Sequence, residues 1–205
     1  MRSPGRARPS RPDQPSLFGE PPALPEGFAY WPDRITPEEE RDLAARFADL
    51  DFKPFEFQGY VGNRRVMPFG WRYDYGRRQV ERAADIPDFL LPLRERAAGA
   101  AGLDPQALQQ VLVTQYEPGA GIGWHRDRPN FADVIGVSLL SPCLFRFRRE
   151  AGEGFERISL TLEPRSIYLM RGPSRWDWRH SIPPAKALRY SVTFRSFRDG
   201  PPAGA

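Results

Sequence analysis

Beyond about residue 110 the chain is strand-rich, a series of short apolar, β-branched and aromatic runs. Strands are expected at 111–116, 134–140, 144–148, 157–162, 167–170 and 189–197. The stretch ahead of them reads as helix. Thr36-Pro37-Glu38-Glu39 supplies a capping box with proline at the first helical position, and Leu43, Phe47 and Leu50 lay one apolar stripe along the helix it opens. A second helical stretch is expected from Pro87 to Ala101, with Pro92 in its first turn or at a kink, because an interior proline removes a hydrogen bond and clashes with the turn before it. Asp104-Pro105 opens a short helical turn before the strand VLVTQY. Helices followed by about eight strands predict an α+β domain, a β-sandwich closed as a jelly roll with the N-terminal helices packed on one side. Residues 1–25 hold seven prolines and four arginines with little periodicity, so a disordered tail is expected there. The domain would occupy 26–197, and a flexible end 198–205.

Composition narrows the class. A chain of 205 residues suits one domain with a substantial core, and 13% aromatic content gives it large side chains to bury. A single cysteine, Cys143, excludes an internal disulfide and a Cys-rich zinc site; beside Pro142 and ahead of an apolar run, it is expected as a buried thiol at a strand entrance. No apolar run approaches the ~18 residues of a membrane span, and a cytoplasmic location without a membrane partner is expected. The net charge is +4, and nearly all the basic residues are arginine, Lys53 and Lys186 being the only lysines. Arginine suits phosphate contacts and stacking on bases, although a codon bias toward Ala, Gly, Pro and Arg gives the same excess. Arg146, Arg148 and Arg149 flank Phe145 and Phe147, while Arg64, Arg65 and Arg72 surround Phe69, Trp71 and Tyr73. Such interleaving can track a nucleic-acid backbone and stack its bases. A strand that buries one face produces the same alternation.

The candidate chemistry lies in the only two histidines. His125-Arg126-Asp127 places two ligands two residues apart, on one face of an extended segment, and His180 follows 53 residues after Asp127. Two imidazoles and one carboxylate on one face of an octahedron leave positions open for Fe(II) and oxygen chemistry, whereas closed zinc sites prefer four cysteine-rich ligands. An isolated H-x-D also arises by chance. Downstream, Arg189-Tyr190-Ser191-Val192-Thr193-Phe194-Arg195 reads as a strand with Arg189, Ser191, Thr193 and Arg195 on one face. If that face is interior, the arginines demand an anion such as a small dicarboxylate; if it is exterior, they are simply solvated. The glycines of EPGAGIGWH are expected to let the backbone turn tightly, since no Lys-Ser/Thr follows to make a phosphate loop. Trp124 and Trp178, each within two residues of a candidate ligand, are expected in the core first and in a pocket wall second.

H-x-D, a distal His and R-x-x-x-x-x-R, in that order, resemble the AlkB family of Fe(II)- and 2-oxoglutarate-dependent dioxygenases over residues 25 to 197. The resemblance implies a double-stranded β-helix, with His125, Asp127 and His180 holding iron. Arg189 would pair with the far carboxylate of 2-oxoglutarate, and Arg195 would help hold its keto-acid end. The family's Asn-x-Tyr is here Thr114-Gln115-Tyr116, so Thr114, Tyr116 and Ser191 would add hydrogen bonds to the co-substrate. The segment FGWRYDY, residues 69–75, stands where the family carries its substrate lid and offers Trp71, Tyr73 and Asp74, with Arg148 as a further substrate contact; Pro129 occupies a position where base-acting members often have an acid. The activity implied is oxidative demethylation of N-alkylated bases in DNA or RNA, releasing formaldehyde and succinate, with the base flipped or single-stranded. Hydroxylation or demethylation of a protein or small molecule is the alternative, and a binding module without metal the third. Residues 14–18, Gln14-Pro15-Ser16-Leu17-Phe18, resemble the Q-x-x-L-F peptides that dock onto sliding clamps, and clamp docking, packing against the first helix and no role are the three readings open to them.

Overall fold

In the computed structural model, which describes residues 23–57 and 60–202, the first helix starts where its capping box dictates. The Thr36 hydroxyl accepts from the Glu39 amide at 3.2 Å and the Glu39 carboxylate accepts from the Thr36 amide at 2.8 Å, satisfying two donors that the first turn leaves without partners. This helix, α1 (Pro37–Ala48), buries Leu43 and Phe47, and Leu50 packs half-buried just past its end. In the second stretch Pro87 precedes a single 3₁₀ turn, and α2 (Leu91–Ala101) follows with Pro92 in its first turn, where no amide partner is lost and no kink is needed. A four-residue helix, α3 (Pro173–Trp176), lies late in the chain.

The strands in chain order are β1 (Phe28–Trp31), β2 (Lys53–Phe57), β3 (Tyr60–Phe69), β4 (Trp71–Asp74), β5 (Gln79–Arg82), β6 (Leu108–Tyr116), β7 (Ile122–His125), β8 (Phe131–Leu139), β9 (Cys143–Ala151), β10 (Gly154–Leu162), β11 (Ser166–Met170), β12 (Arg179–Ile182) and β13 (Arg189–Phe197). The large sheet runs β1-β11-β8-β13-β6-β3-β2, the small one β10-β9-β12-β7, and β4 and β5 form a separate ribbon. From β6 onward the chain crosses repeatedly between the two sheets, which is the jelly roll; β1, β2 and β3 extend the large sheet at its edges. One face of that sheet, with Val111, Val113, Ile135, Val137, Tyr190, Val192 and Phe194, packs against α1 and α2. The other meets the small sheet through Tyr168, Met170, Phe145, Phe147 and Leu162. The helices-on-one-side jelly roll expected from the pattern is therefore the fold. Each buried Phe or Leu contributes about 1.5–3 kcal/mol to these two cores.

All six expected strands are present, and several begin up to three residues earlier. The strands not anticipated are short or interrupted: β7 and β12 span four residues each, while β2 and β3 contain Pro54 and Pro68. Four residues are too few to display an alternation, and proline argues against a strand until an edge position excuses it. Cys143 is buried at the start of β9, as expected, and burial pushes its thiol pKa up. Residues 14–18 lie outside the described residues. Among the described residues no helix is long and apolar enough to cross a membrane.

Candidate metal centre and its cavity

His125 ends β7, His180 lies on β12, and the two are direct partners across these antiparallel strands. Their ring centroids are 4.1 Å apart. Asp127 follows in the loop and brings its Oδ2 to 3.6 Å from His180 Nε2, so one ligand atom from each of the three lies within 4.8 Å of the others. His125 Nδ1 stands 2.9 Å from the Gly123 carbonyl. That contact is a hydrogen bond when Nδ1 carries the proton, which leaves the Nε2 lone pair free for a metal.

The electrostatics keep all three in ligand form. Burial, then the neighbouring His125, pushes the pKa of His180 down to about 3, and burial lowers that of His125 as well. Burial works against ionisation of Asp127, but the Arg195 guanidinium, with Arg175 behind it, outweighs it and holds the carboxyl below its ordinary range. Neutral imidazoles beside an ionised carboxylate are what a divalent cation requires.

The floor of the site is written in the register of the large sheet. One cross-strand row reads Gln110, Arg195, Val134, Met170; the next reads Leu112, Thr193, Gly136, Tyr168; the third reads Thr114, Ser191, Ser138, Ser166; and Tyr116 pairs with Arg189. Arg195 donates from Nε and Nη2 to Asp127 Oδ1 at 3.0 and 2.8 Å, and from Nη1 to Gln110 Oε1 at 2.7 Å. Arg189 is 1% exposed. Its Nε and Nη2 share the Ser138 hydroxyl at 3.2 and 3.1 Å, its guanidinium carbon lies 5.0 Å from the Tyr116 ring centroid, and its Nη1 has no partner. A buried guanidinium with an unspent donor is costly unless an anion completes it. Gly136 has a steric purpose: a Cβ there would sit 2.1 Å from the Tyr168 ring, so only glycine lets that tyrosine cross the strand.

A cavity of about 870 Å³ opens over the three ligands. His125, Asp127, His180, Thr114, Tyr116, Ser191, Arg195 and Tyr73 all line it, and Arg189 lies buried behind its wall. The other substrate candidates are placed elsewhere. Trp71 is buried edge-on against Phe197 at 5.6 Å; Asp74 accepts from the Gly76 and Arg77 amides at 2.8 and 2.9 Å, closing the β4–β5 turn. Arg148 lies over Trp124, its guanidinium carbon 4.5 Å from the ring centroid, without lining the cavity. Trp124 does line it, whereas Trp178 packs into the core against Phe147. Phe145 and Phe147 point into that core too, so their alternation with arginine reflects a buried face.

Several residues of the site had no signal of their own in the sequence. Gln110, Ser138 and Tyr168 acquire meaning only from their register beside Arg195 and Arg189. Arg175, 2% exposed on α3, donates from Nη2 to the carbonyls of Arg128 and Phe131 at 2.6 and 2.9 Å, pinning the loop that carries Asp127. Arg128 in turn places its guanidinium carbon 4.5 Å from the ring centroids of both Tyr73 and Tyr75, joining that loop to the β4–β5 region.

Comparison with known proteins agrees with this geometry. The 2OG-Fe(II) oxygenase superfamily matches residues 30–195. The alkylated DNA repair protein ALKBH8 homolog of Arabidopsis thaliana is 29% identical over 216 residues, covering 85% of this chain and 59% of that protein. The alpha-ketoglutarate-dependent dioxygenase AlkB of Escherichia coli is 33% identical over 122 residues, 54% of this chain and 55% of that one. The solved structure of OsALKBH1 superimposes with a TM-score of 0.67 at 18% identity, covering 85% of this chain and 98% of that one, a likeness of fold. The chain belongs to the 2OG-Fe(II) oxygenase superfamily, among its AlkB-like members. It spans little more than half the length of these two relatives. The superfamily takes Fe(II) and 2-oxoglutarate, and the donor set fits both: two neutral imidazoles and a carboxylate for the metal, and the unspent Nη1 of a buried arginine for a carboxylate.

Proposed function

We propose that this chain is an Fe(II)- and 2-oxoglutarate-dependent dioxygenase that removes N-linked methyl groups from bases in DNA or RNA. The observation that carries the reading is the wall of the cavity over His125, Asp127 and His180. There Phe55, Tyr73, Tyr75 and Trp124 share the lining with Arg64, Arg72, Arg126 and Arg128, a combination suited to stacking a base and meeting its phosphates. The name of the Arabidopsis relative points to alkylated DNA. His125, Asp127 and His180 would hold the iron; Arg189 would hold the far carboxylate of 2-oxoglutarate, with Thr114, Tyr116 and Ser191 along its length. Arg195 would act at the other end, keeping Asp127 oriented and ionised. Bound iron and 2-oxoglutarate would supply, with dioxygen as the oxidant, hydroxylation of a substrate C–H bond, one oxygen atom going to that carbon and the other to succinate as carbon dioxide is lost. A methyl on nitrogen so hydroxylated is a hemiaminal, which breaks to the free N–H and formaldehyde.

The lining also favours one kind of lesion. Asp127 is the one carboxylate among the described residues lining the cavity, and Arg195 already engages it. A base carrying a positive charge would meet arginine and no free acid, whereas a neutral base with carbonyl acceptors would meet donors. Iron-loaded protein incubated with short oligonucleotides is expected to release formaldehyde from N3-methylthymine or N3-methyluracil at least about tenfold more efficiently than from N1-methyladenine, a discrimination of about 1.4 kcal/mol. Equal rates would refute the charge argument. Succinate formation without formaldehyde from any oligonucleotide would shift the reading to a protein or small-molecule substrate. A cytoplasmic location fits this substrate class, and clamp docking by residues 14–18 is proposed on their sequence alone.

A further inference from the structure

The outer face of the small sheet carries a row of like charges. Arg157 on β10, Arg148 on β9 and Arg179 on β12 are direct partners across three neighbouring strands, so they leave the sheet on the same side. With strands about 4.8 Å apart, the row is roughly 10 Å long and runs toward β7. In the adjacent row Arg146 stands between Ser159 and Ser181, donating from Nε to the Ser181 hydroxyl at 3.0 Å. None of these four arginines forms an ion pair with a described carboxylate. The one acid in register on this face, Glu150, lies at the hairpin end opposite Phe155.

Like charges set directly opposite one another weaken a sheet. Two aromatic rings share the face with them. The guanidinium carbons of Arg146 and Arg148 lie 5.1 and 4.5 Å from the Trp124 centroid, and those of Arg148 and Arg157 lie 4.6 and 5.4 Å from Phe155, which is 40% exposed. Trp124 precedes His125 and lines the cavity as well, so the face and the cavity meet at that ring.

We infer that this face is a second contact site for single-stranded nucleic acid, its phosphodiester backbone running from the cavity mouth past Trp124 and across Arg179, Arg148 and Arg157. The inference rests on the nucleic-acid reading proposed above. Guanidinium groups keep their charge and fork onto phosphate oxygens, and an exposed ring such as Phe155 can stack only on a base that is not paired within a duplex. The charge excess favours a polyphosphate over a protein, and the exposed aromatic favours an unpaired strand.

The test compares the full-length wild-type protein with the double variant Arg157→Gln/Arg179→Gln and with its charge-reversed counterpart Arg157→Glu/Arg179→Glu, using 5- and 15-nucleotide methylated single strands in DNA and RNA versions. Both positions are exposed, and an unchanged melting temperature checks that the variants fold. Wild type is expected to bind the longer strand more tightly. The glutamine variant should lose about tenfold in affinity for that strand, and its slope of log affinity against log salt should shrink by about 1.4, two phosphate contacts at ~0.7 each. The glutamate variant should lose more, while formaldehyde release from the 5-mer stays unchanged. Loss in either the DNA or the RNA version supports the site. Wild-type affinity and salt slope in both variants, with the 5-mer still demethylated, would overturn this inference alone. A wild type that neither binds the 15-mers nor demethylates the 5-mers would overturn the nucleic-acid reading and this inference with it, whereas preferential binding of polyglutamate to this face would overturn this inference alone.

Discussion

Replacing His125 or His180 by alanine is expected to abolish succinate formation while leaving the metal-free protein folded. The chain has two histidines and both are in the cluster, so no imidazole can substitute for a lost one. Loss of a mere outer partner costs such sites about 10–100-fold, and loss of one ligand in three should cost more. Both rings are kept neutral by burial, so truncating either strands no charge. Asp127→Ala should behave differently. Its carboxylate is the acceptor for two Arg195 donors in the interior, and deleting it leaves a buried guanidinium without its counter-charge, a loss of about 3–5 kcal/mol. Asp127→Asn keeps an acceptor of the same shape, and should recover much of that stability without recovering activity. Succinate assays and urea unfolding of the metal-free variants separate the two effects. Near-normal turnover in any of these variants would remove that residue from the iron site, and equal stability of Asp127→Ala and His180→Ala would remove Arg195 from its support.

How the sequence and the structure divide this result is clearest on β13. Period two in Arg189 to Arg195 assigns alternate residues to opposite faces, and the structure has Tyr190, Val192 and Phe194 under the helices with Arg189, Ser191, Thr193 and Arg195 on the inter-sheet side. Periodicity could not say which face was interior, because β13 is buried on both: Arg189 and Val192 are equally inaccessible. A central strand of a three-layer fold has no solvent side to break the tie. The candidate metal ligands were legible because the chain has only two histidines and one of them stands two residues before an aspartate. Ser138, Gln110 and Tyr168 were not, because ordinary residues become part of a site only through the neighbouring strands: Gln110 stands opposite Arg195, Ser138 holds the Arg189 side chain, and Tyr168 crosses Gly136 into the cavity wall. The substrate side was hardest to read. In FGWRYDY, residues 69–75, Tyr73 lines the cavity, but Gly70 at φ +71° turns the chain and sends Trp71 into the core, and the Asp74 carboxylate goes to the turn after β4. Local pattern shows that such a segment is aromatic and polar, and tertiary packing decides which ring faces the cavity.

Arg189→Ala is expected to raise the 2-oxoglutarate requirement steeply. A charge-assisted fork onto a buried carboxylate is worth on the order of 2–4 kcal/mol, which at 1.4 kcal/mol per decade corresponds to a rise of roughly 30- to 700-fold. Arg189→Lys should fall between, since lysine keeps the charge but cannot hold the Ser138 hydroxyl and the co-substrate with one planar fork. Ser138→Ala should raise the requirement only modestly, because it frees the guanidinium without removing it. The metal-loaded protein gives a second readout that does not pass through turnover. With no co-substrate bound, Nη1 is a buried donor without a partner, so Arg189→Met should leave the stability of the co-substrate-free protein equal to or above that of wild type. The same variant should lose the rise in melting temperature that saturating 2-oxoglutarate gives wild type through preferential binding to the folded state. An alanine variant with unchanged co-substrate affinity would show that the carboxylate is held elsewhere. A methionine variant that is strongly destabilised before any co-substrate is added would make Arg189 a structural residue of the core.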